Sequence, residues 1–379
     1  MYSNTGTMSF NPRCSFCLRL RGTYRFRWKR ATVVIALCMF IIMMGAYLRK
    51  HRTDVQGVAR RLGELEPLES GTQHEERKRD VDLKEHIMTL KRVYRALEEP
   101  WQLNQTTLRR VRSKLQDQLV SARTIFFTKR TTHVGTERRF PRKPNETFTV
   151  NKNLYNHLIQ ENPLNLNGYR KCNVVGNSGI LVNSQCGERI DGANFIFRCN
   201  LQPLHQYSRD AGIRSNLSTL NPSVLWVRYQ RLENKKSKRL FTDIASQYSG
   251  VVAIPTGGAS GLKWSLRAMD ELKKSSVSAK VALIDPQHIL SVREFWKHNV
   301  TGTISTGMYL TTLALILCEE IHLYGFWPFS YNQYGQPIPF HYTDDLQKPS
   351  IHHHMSDEFN LLMKLHQAGV LHVHVERCT

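Results

Sequence analysis

The spacing of apolar positions changes several times along this chain. Residues 31–48 (ATVVIALCMFIIMMGAYL) form one uninterrupted apolar run without a charge in eighteen positions. At about 1.5 Å per residue, such a helix just spans a thin bilayer core. Residues 49–99 are polar, with charges in mixed blocks. Within them Leu83, Ile87, Leu90, Tyr94 and Leu97 recur at helical spacing and predict one amphipathic helix. Its stripe suits self-association, hence a homodimer, although a solvated spacer fits the composition equally well. Leu108, Val111, Leu115, Leu119 and Ala122 predict a second helix, running toward Phe126 and Phe127 and opening the folded domain. From Lys171 onward short β-rich runs alternate with longer segments: 173–176, 194–199, 217–220, 251–254, 281–284, 321–324 and 371–375. Strands separated by helices predict an α/β fold with a mostly parallel sheet covered on both faces. Ligands bind such sheets at the carboxyl ends of the strands.

Charge sets the orientation. The 379 residues carry 53 Lys and Arg against 31 Asp and Glu, a formal net charge of +22. Such an excess points to nucleic acid, an anionic membrane or an acidic ligand. Residues 1–30, directly before the apolar run, hold seven basic residues and no acid. The positive-inside rule keeps this arm in the cytosol and puts the bulk of the chain in the lumen, away from nucleic acid. The run is long for a signal-peptide core, and no small-x-small cleavage site follows it. The organisation predicted is a cytosolic tail over 1–30, a transmembrane signal anchor over 31–48, a stem over 49–99 and a lumenal domain over 100–379. A span this short fits the thinner membranes of the early secretory pathway.

Five of the eight cysteines fall on the lumenal side: Cys172, Cys186, Cys199, Cys318 and Cys378. An oxidising lumen permits two disulfides and leaves one thiol. No C-x-x-C occurs there, which disfavours a zinc site built on cysteine. Asn104, Asn145, Asn216 and Asn299 each open an N-glycosylation sequon on the same side.

Three clusters carry candidate chemistry. A strand ends in Gly176-Asn177-Ser178-Gly179, where glycine allows close backbone approach and the Asn and Ser side chains suit a phosphate or a ribose. The same letters also fit a plain strand-to-helix turn, and they lack the G-x-G-x-x-G spacing of a dinucleotide site. Asn200 closes the next strand and can face the same crevice. Second, Ser305, Thr306 and Gly307 start an apolar helix, whose positive end holds a phosphate or simply carries an ordinary cap. Just downstream Phe326, Trp327 and Pro328 follow a strand end, where exposed aromatics suit stacking on a base or a sugar. Third, His341 and Tyr342 precede Asp344, and His352, His353 and His354 precede Glu358. Consecutive histidines do not converge on one ion without a sharp fold, so no metal is expected. The only D-x-D, Asp80-Val81-Asp82, lies in the stem. A histidine near a phosphate crevice suits general-base work.

Together these residues resemble the animal sialyltransferases, in particular the α-2,8-sialyltransferase group. The long sialylmotif is similar to residues 172–218, and the short one to residues 302–324. The third motif is similar to His341-Tyr342-Thr343-Asp344, and the very short motif to His353 through Glu358. Thr343 departs from the usual Tyr, and Ser356 from a common Pro. The resemblance covers about residues 100–379. It implies a variant GT-A nucleotide-sugar fold with a seven-stranded sheet, a Golgi type II membrane enzyme and CMP-sialic acid as donor, with no cofactor. It further implies an inverting displacement with His353 as base, and a sialylated glycoprotein or glycolipid glycan as acceptor. Asn177, Ser178, Asn200, Ser305, Thr306, Gly307, Phe326, Trp327, Pro328, His341 and Tyr342 would bind the donor. The disulfide pairing it implies is Cys172–Cys318 and Cys186–Cys378. An α-2,3 or α-2,6 linkage is the nearest alternative. A catalytically silent, membrane-tethered glycan-binding partner is another, and intact His353 and Glu358 argue against it.

Overall fold

The computed structural model describes residues 88, 90–119, 124–275, 277–343 and 354–378. The tail and anchor expected over 1–30 and 31–48, most of the stem, Ala122 and His353 lie outside the described residues. No described helix is long and apolar enough to cross a membrane.

The seven β-rich runs are the seven strands of one sheet: β3 (Tyr169–Val175), β4 (Phe195–Arg198), β5 (Leu217–Thr219), β6 (Val251–Pro255), β7 (Lys280–Ile284), β8 (Cys318–Tyr324) and β9 (His372–His374). Their order is β7-β6-β5-β4-β3-β8-β9, and every pairing is parallel. Both faces are covered, which is why the strands read as continuous apolar runs rather than alternating ones. The chain steps outward from β3 to β7, then returns to place β8 on the other side of β3. The order therefore reverses at the β3–β8 pair, and the crevice at such a reversal is where these sheets bind ligands.

Helices cover the sheet: α1 (Gln105–Gln118), α2 (Pro222–Val227), α3 (Lys235–Ala245), α4 (Ala259–Lys274), α5 (Pro286–Trp296), α6 (Thr306–Leu317) and α7 (Met355–Gln367). Asn104 caps α1, its side-chain oxygen accepting from the Thr107 amide at 3.0 Å. The helix buries Leu108 and Leu115 and ends at Gln118, so Leu119 of the expected stripe serves as its C-cap. Arg112 reaches from α1 to the end of α6, where it donates to the carbonyls of Leu315 and Cys318. A guanidinium there satisfies carbonyls the helix leaves unpaired and opposes its negative end. From Met308 to Leu317 every residue of α6 is buried, as an apolar-all-round helix requires.

Two features were not legible in the pattern. An antiparallel hairpin, β1 (Glu137–Phe140) with β2 (Lys143–Thr149), precedes the sheet. Its strands are mostly exposed and polar, so they show no alternation. It docks through Arg138, which pairs with Asp285 at 3.2 Å and lies over the Phe127 ring. The other feature corrects the stem. Residues 90–98 are helical, and Leu90 and Tyr94 are buried in the main core. Leu90 and Tyr94 of the stripe read as a self-association surface pack against their own domain, whereas Leu83 and Ile87 lie outside the described residues.

Two disulfides close long loops. Cys172–Cys318 joins β3 to the first residue of β8 across 146 residues of sequence, and Cys186–Cys378 fastens the C-terminal segment across 192. Cys199 is free and buried. Burial, with the charge of Glu358 adding to it, pushes its thiol up to about 12. Non-reducing peptide mapping should recover these two pairs and an unpaired Cys199 that thiol reagents modify only after unfolding. Replacing Cys186 and Cys378 together by Ala should lower the unfolding free energy by about 2–5 kcal/mol in urea titrations.

Candidate active site

The site begins where β3 and β8 end. Gly176 donates its amide to the Tyr324 carbonyl at 2.7 Å. A Cβ on Gly176 would stand 2.4 Å from the Gly325 carbonyl oxygen, and one on Gly325, at φ +72°, would stand 2.7 Å from the Gly176 oxygen. The two backbones touch, so only glycine fits at either position. The contact delivers Asn177 and Ser178 to the rim. The Ser178 amide donates to the Gly325 carbonyl at 3.1 Å. Its hydroxyl donates to the Trp327 carbonyl at 2.8 Å and accepts from the Ile180 amide. Ser178 thus holds the turn together. Asn177 is half-buried, and its side chain makes no hydrogen bond among the described residues.

A chain of polar groups crosses the neighbouring strand ends. Asn200 follows β4 in the left-handed conformation, φ +61°. Its side-chain oxygen accepts from the Asn221 amide at 3.2 Å, and the Asn221 side-chain amide donates to the Thr306 hydroxyl at 2.7 Å. Asn221, between the end of β5 and Pro222, was missed in the sequence. A polar residue at a strand's carboxyl end, directly before a proline-started helix, is the signal that pointed to it.

Ser305 caps α6 as expected, its hydroxyl accepting from the Met308 amide at 3.1 Å. It is not a free donor for a ligand, however. Its amide and its hydroxyl both donate to the Glu358 carboxylate, each at 2.5 Å. Glu358 is 4% exposed, and a buried carboxylate needs such partners. The amides of Thr306 and Gly307, in the first turn, have no intrahelical acceptor and stand at the positive helix end. Gly307 is pinned by packing, because a Cβ there would lie 2.8 Å from the Phe326 ring. The same ring would lie 3.2 Å from a Cβ on Gly176, so Phe326 bridges the two glycine segments.

The aromatic turn is not the exposed platform its letters suggest. Trp327 is 4% exposed. Its ring packs among Tyr94, Phe329 and Phe359 with centroids 4.9, 4.7 and 5.7 Å away. Its indole N–H donates to the Tyr331 carbonyl at 2.8 Å. Helix 90–98 and α7 cover this indole, so it supports the crevice from beneath. Phe326 and Pro328 are half-buried.

His341 lies on the loop that crosses the rim, paired with Ser178 in an antiparallel bridge. The Tyr342 amide donates to the Asn177 carbonyl at 2.9 Å. The Tyr342 ring, expected at the donor, is buried edge-on against Tyr207, and burial pushes its phenol up to about 12. Thr343, the departure from the motif, donates from its hydroxyl to Gln202 at 2.9 Å, and its carbonyl accepts from Tyr207. His353 lies outside the described residues; His354 is the exposed N-cap of α7. Of the four sequons, Asn104, Asn145 and Asn299 are exposed. Asn216 is half-buried, and its side-chain oxygen accepts from the Ile196 amide at 2.9 Å.

A parallel sheet with amide donors and a helix N-terminus at its switch point defines an α/β ligand-binding enzyme scaffold. Residues 77–370 match the family described as glycosyltransferase family 29 (sialyltransferase). The chain belongs to this sialyltransferase family and is a glycosyltransferase. It is 35% identical over 283 residues to the alpha-N-acetylneuraminide alpha-2,8-sialyltransferase of Bos taurus, covering 73% of this chain and 79% of the relative. The alpha-2,8-sialyltransferase 8E of Homo sapiens is 33% identical over 285 residues, covering 74% and 75%. Among solved structures, a mammalian sialyltransferase is similar at 19% identity, with 76% of this chain and 84% of that chain covered and a TM-score of 0.41.

Burial raises the Glu358 carboxyl above its ordinary value of 4.5, and the two Ser305 hydrogen bonds offset this only in part. The unfolded chain therefore ionises this group first. Its contribution to stability is full below about pH 4.5 and is lost as pH rises through the folded-state value. Glu358→Gln does not titrate. The stability of this variant relative to wild type should therefore rise across that window, read by urea melts from about pH 4 to about pH 7. A flat difference would mean an unperturbed carboxyl. Glu358→Ala, which leaves the Ser305 amide without its acceptor, should cost about 1–3 kcal/mol.

Proposed function

We propose that this protein transfers sialic acid from CMP-sialic acid to the 8-hydroxyl of a terminal sialic acid on a glycoprotein or glycolipid glycan. The observation that carries this reading is the meeting of three groups of donors at one strand-end crevice. They are half-buried Asn177, the Asn200–Asn221–Thr306 chain and the first amides of α6. Such donors suit a ribose and a phosphate. The α-2,8 names of the relatives support the linkage.

In this reading the donor phosphate sits against the Thr306 and Gly307 amides and His341. Asn177 and Asn200 hold the nucleotide, and Phe326 and Pro328 line its pocket. Ser178, Ser305, Trp327 and Tyr342 hold these groups in place. His353 removes the proton from the acceptor hydroxyl as its oxygen bonds to the anomeric carbon. The bond from that carbon to the phosphate oxygen breaks, CMP departs with the negative charge, and the anomeric centre inverts. Fixed dipoles and a histidine stabilise the leaving group, so the step needs neither metal nor cofactor. The absence of D-x-D outside the stem supports this. The basic arm and apolar run support a type II protein of the Golgi membrane, anchored by residues 31–48, with the catalytic domain in the lumen.

Incubation with CMP-sialic acid and a panel of sialylated acceptors, followed by linkage analysis, tests the reading. An α-2,3 or α-2,6 product, or no transfer at all, would overturn it. His353→Ala should lower turnover by roughly 10²–10⁴-fold while CMP binding by calorimetry changes far less. His352→Ala and His354→Ala should be milder, and the reverse pattern would move the base to His354. Transfer at 25 °C should persist through exhaustive EDTA treatment; loss that Mn²⁺ restores would put a metal in the mechanism.

A further inference from the structure

At the outer edge of the sheet, on β8 and the edge strand β9, three histidines share one face. His322 of β8 lies in register with His372 of β9. His372 and His374 are two residues apart on a strand and so point to the same side. One ring nitrogen from each of the three lies within 4.8 Å of the others. His322 Nε2 lies 2.6 Å from Glu320 Oε1. A carboxylate only accepts, so this nitrogen carries the hydrogen and His322 Nδ1 carries a lone pair. That lone pair faces His374 Nε2 at 2.8 Å.

The rings are held in place. Trp101 stacks on His372 with centroids 4.7 Å apart at 13°, and Tyr324 stacks on His374 at 4.4 Å and 6°. The nearby His366 is already committed, its Nδ1 accepting from the Val373 amide at 3.2 Å. Glu320 also pairs with Lys171 at 3.3 Å.

We propose that His322, His372 and His374 bind a Zn²⁺ ion that staples the edge strand β9 to β8. Three imidazoles converging on one point are a zinc-type donor set, with a fourth position open to water. A carboxylate behind one of them is the usual outer support, since it sets the tautomer and raises the basicity of the ligand. Mg²⁺ and Ca²⁺, which take oxygen ligands, do not fit this set. The ion stands in for the hydrogen that His374 Nε2 otherwise offers to His322 Nδ1, and His374 then carries its hydrogen on Nδ1. Lys171 and Arg189 lie close enough to act on these rings and oppose a cation. They make the site weaker than an isolated trio would be, and Glu320 offsets Lys171. The site takes no part in the transfer step: it secures a three-residue strand at the rim of the sheet.

The purified full chain, carrying no histidine tag, is titrated with Zn²⁺ by calorimetry and melted at increasing Zn²⁺. One ion per chain and a Tm that climbs with Zn²⁺ concentration are expected. Glu320→Gln should weaken binding roughly 10–100-fold, and the double variant His372→Gln, His374→Gln should weaken it by more than about 100-fold. That double variant should keep its transfer activity at 25 °C and lose the Zn²⁺ effect on Tm. An independent measurement needs no ligand variant: Cu²⁺ bound at the cluster should quench Trp101, one of six tryptophans, and Trp101→Phe should remove that quenching. Equal Zn²⁺ binding by wild type and the double variant would place the ion elsewhere, at residues 352–354 for example, and overturn the assignment. A Tm indifferent to Zn²⁺, or quenching unaffected by Trp101→Phe, would overturn it too.

Discussion

Everything in the crevice depends on the backbone contact between Gly176 and Gly325. A Cβ on the first would lie 2.4 Å from the carbonyl oxygen of the second, so a side chain at either position would wedge β3 and β8 apart. The same two strands are also tied by Cys172–Cys318, which joins the middle of β3 to the first residue of β8. A parallel pair held by this bond and by the glycine contact is a rigid platform for the rim elements that leave it. Asn177 and Ser178 depart from β3, and Phe326 departs from β8 to lie across Gly176 and Gly307. The approach is tight again at Gly179, where a Cβ would meet the Pro339 carbonyl oxygen at 2.0 Å and the loop bearing His341 crosses.

A buried acid organises the remaining side of the site. Glu358 lies in the first turn of α7 and ties that helix to the start of α6 through both donors of Ser305. Its negative charge takes part of the positive potential at the α6 terminus. The amides of Thr306 and Gly307 remain, and the Phe326 ring packs closely against Gly307. The arrangement joins the short motif to the very short motif physically. Burial raises the Cys199 thiol, and the nearby Glu358 charge adds to that.

Much of the scaffold is legible in one dimension. All seven strands, the helix from Gln105 and the cap at Ser305 follow from apolar period and local chemistry. The half-buried position of Asn177 and the turn at Gly176 match their letters. Other readings fail for reasons of packing. Phe326-Trp327-Pro328 looks like an exposed platform, yet Trp327 is covered by helix 90–98 and by Phe359 of α7, segments far away in sequence. The apolar stripe at Leu90 and Tyr94 resembles a partner surface until its own domain is seen to cover it. The three-histidine cluster carries no local signal, because it acquires meaning only from residues about 50 positions distant, and the partner that gives Asn221 its place, Thr306, is 85 positions away.

The sequence by itself determined the class of the fold, the parallel sheet and its likeness to the sialyltransferases. Hydrophobic period, turn residues and motif order are local properties, each readable within a window of about ten residues. Only the tertiary structure decided which of the named residues face the crevice and which support it from behind. Ser305 proved committed to Glu358, Trp327 and Tyr342 proved buried, and Asn221 proved part of the rim. Whether a polar or aromatic side chain is free is set by the strand register and helix packing that bring distant neighbours against it, and a linear pattern does not encode those neighbours at any single position.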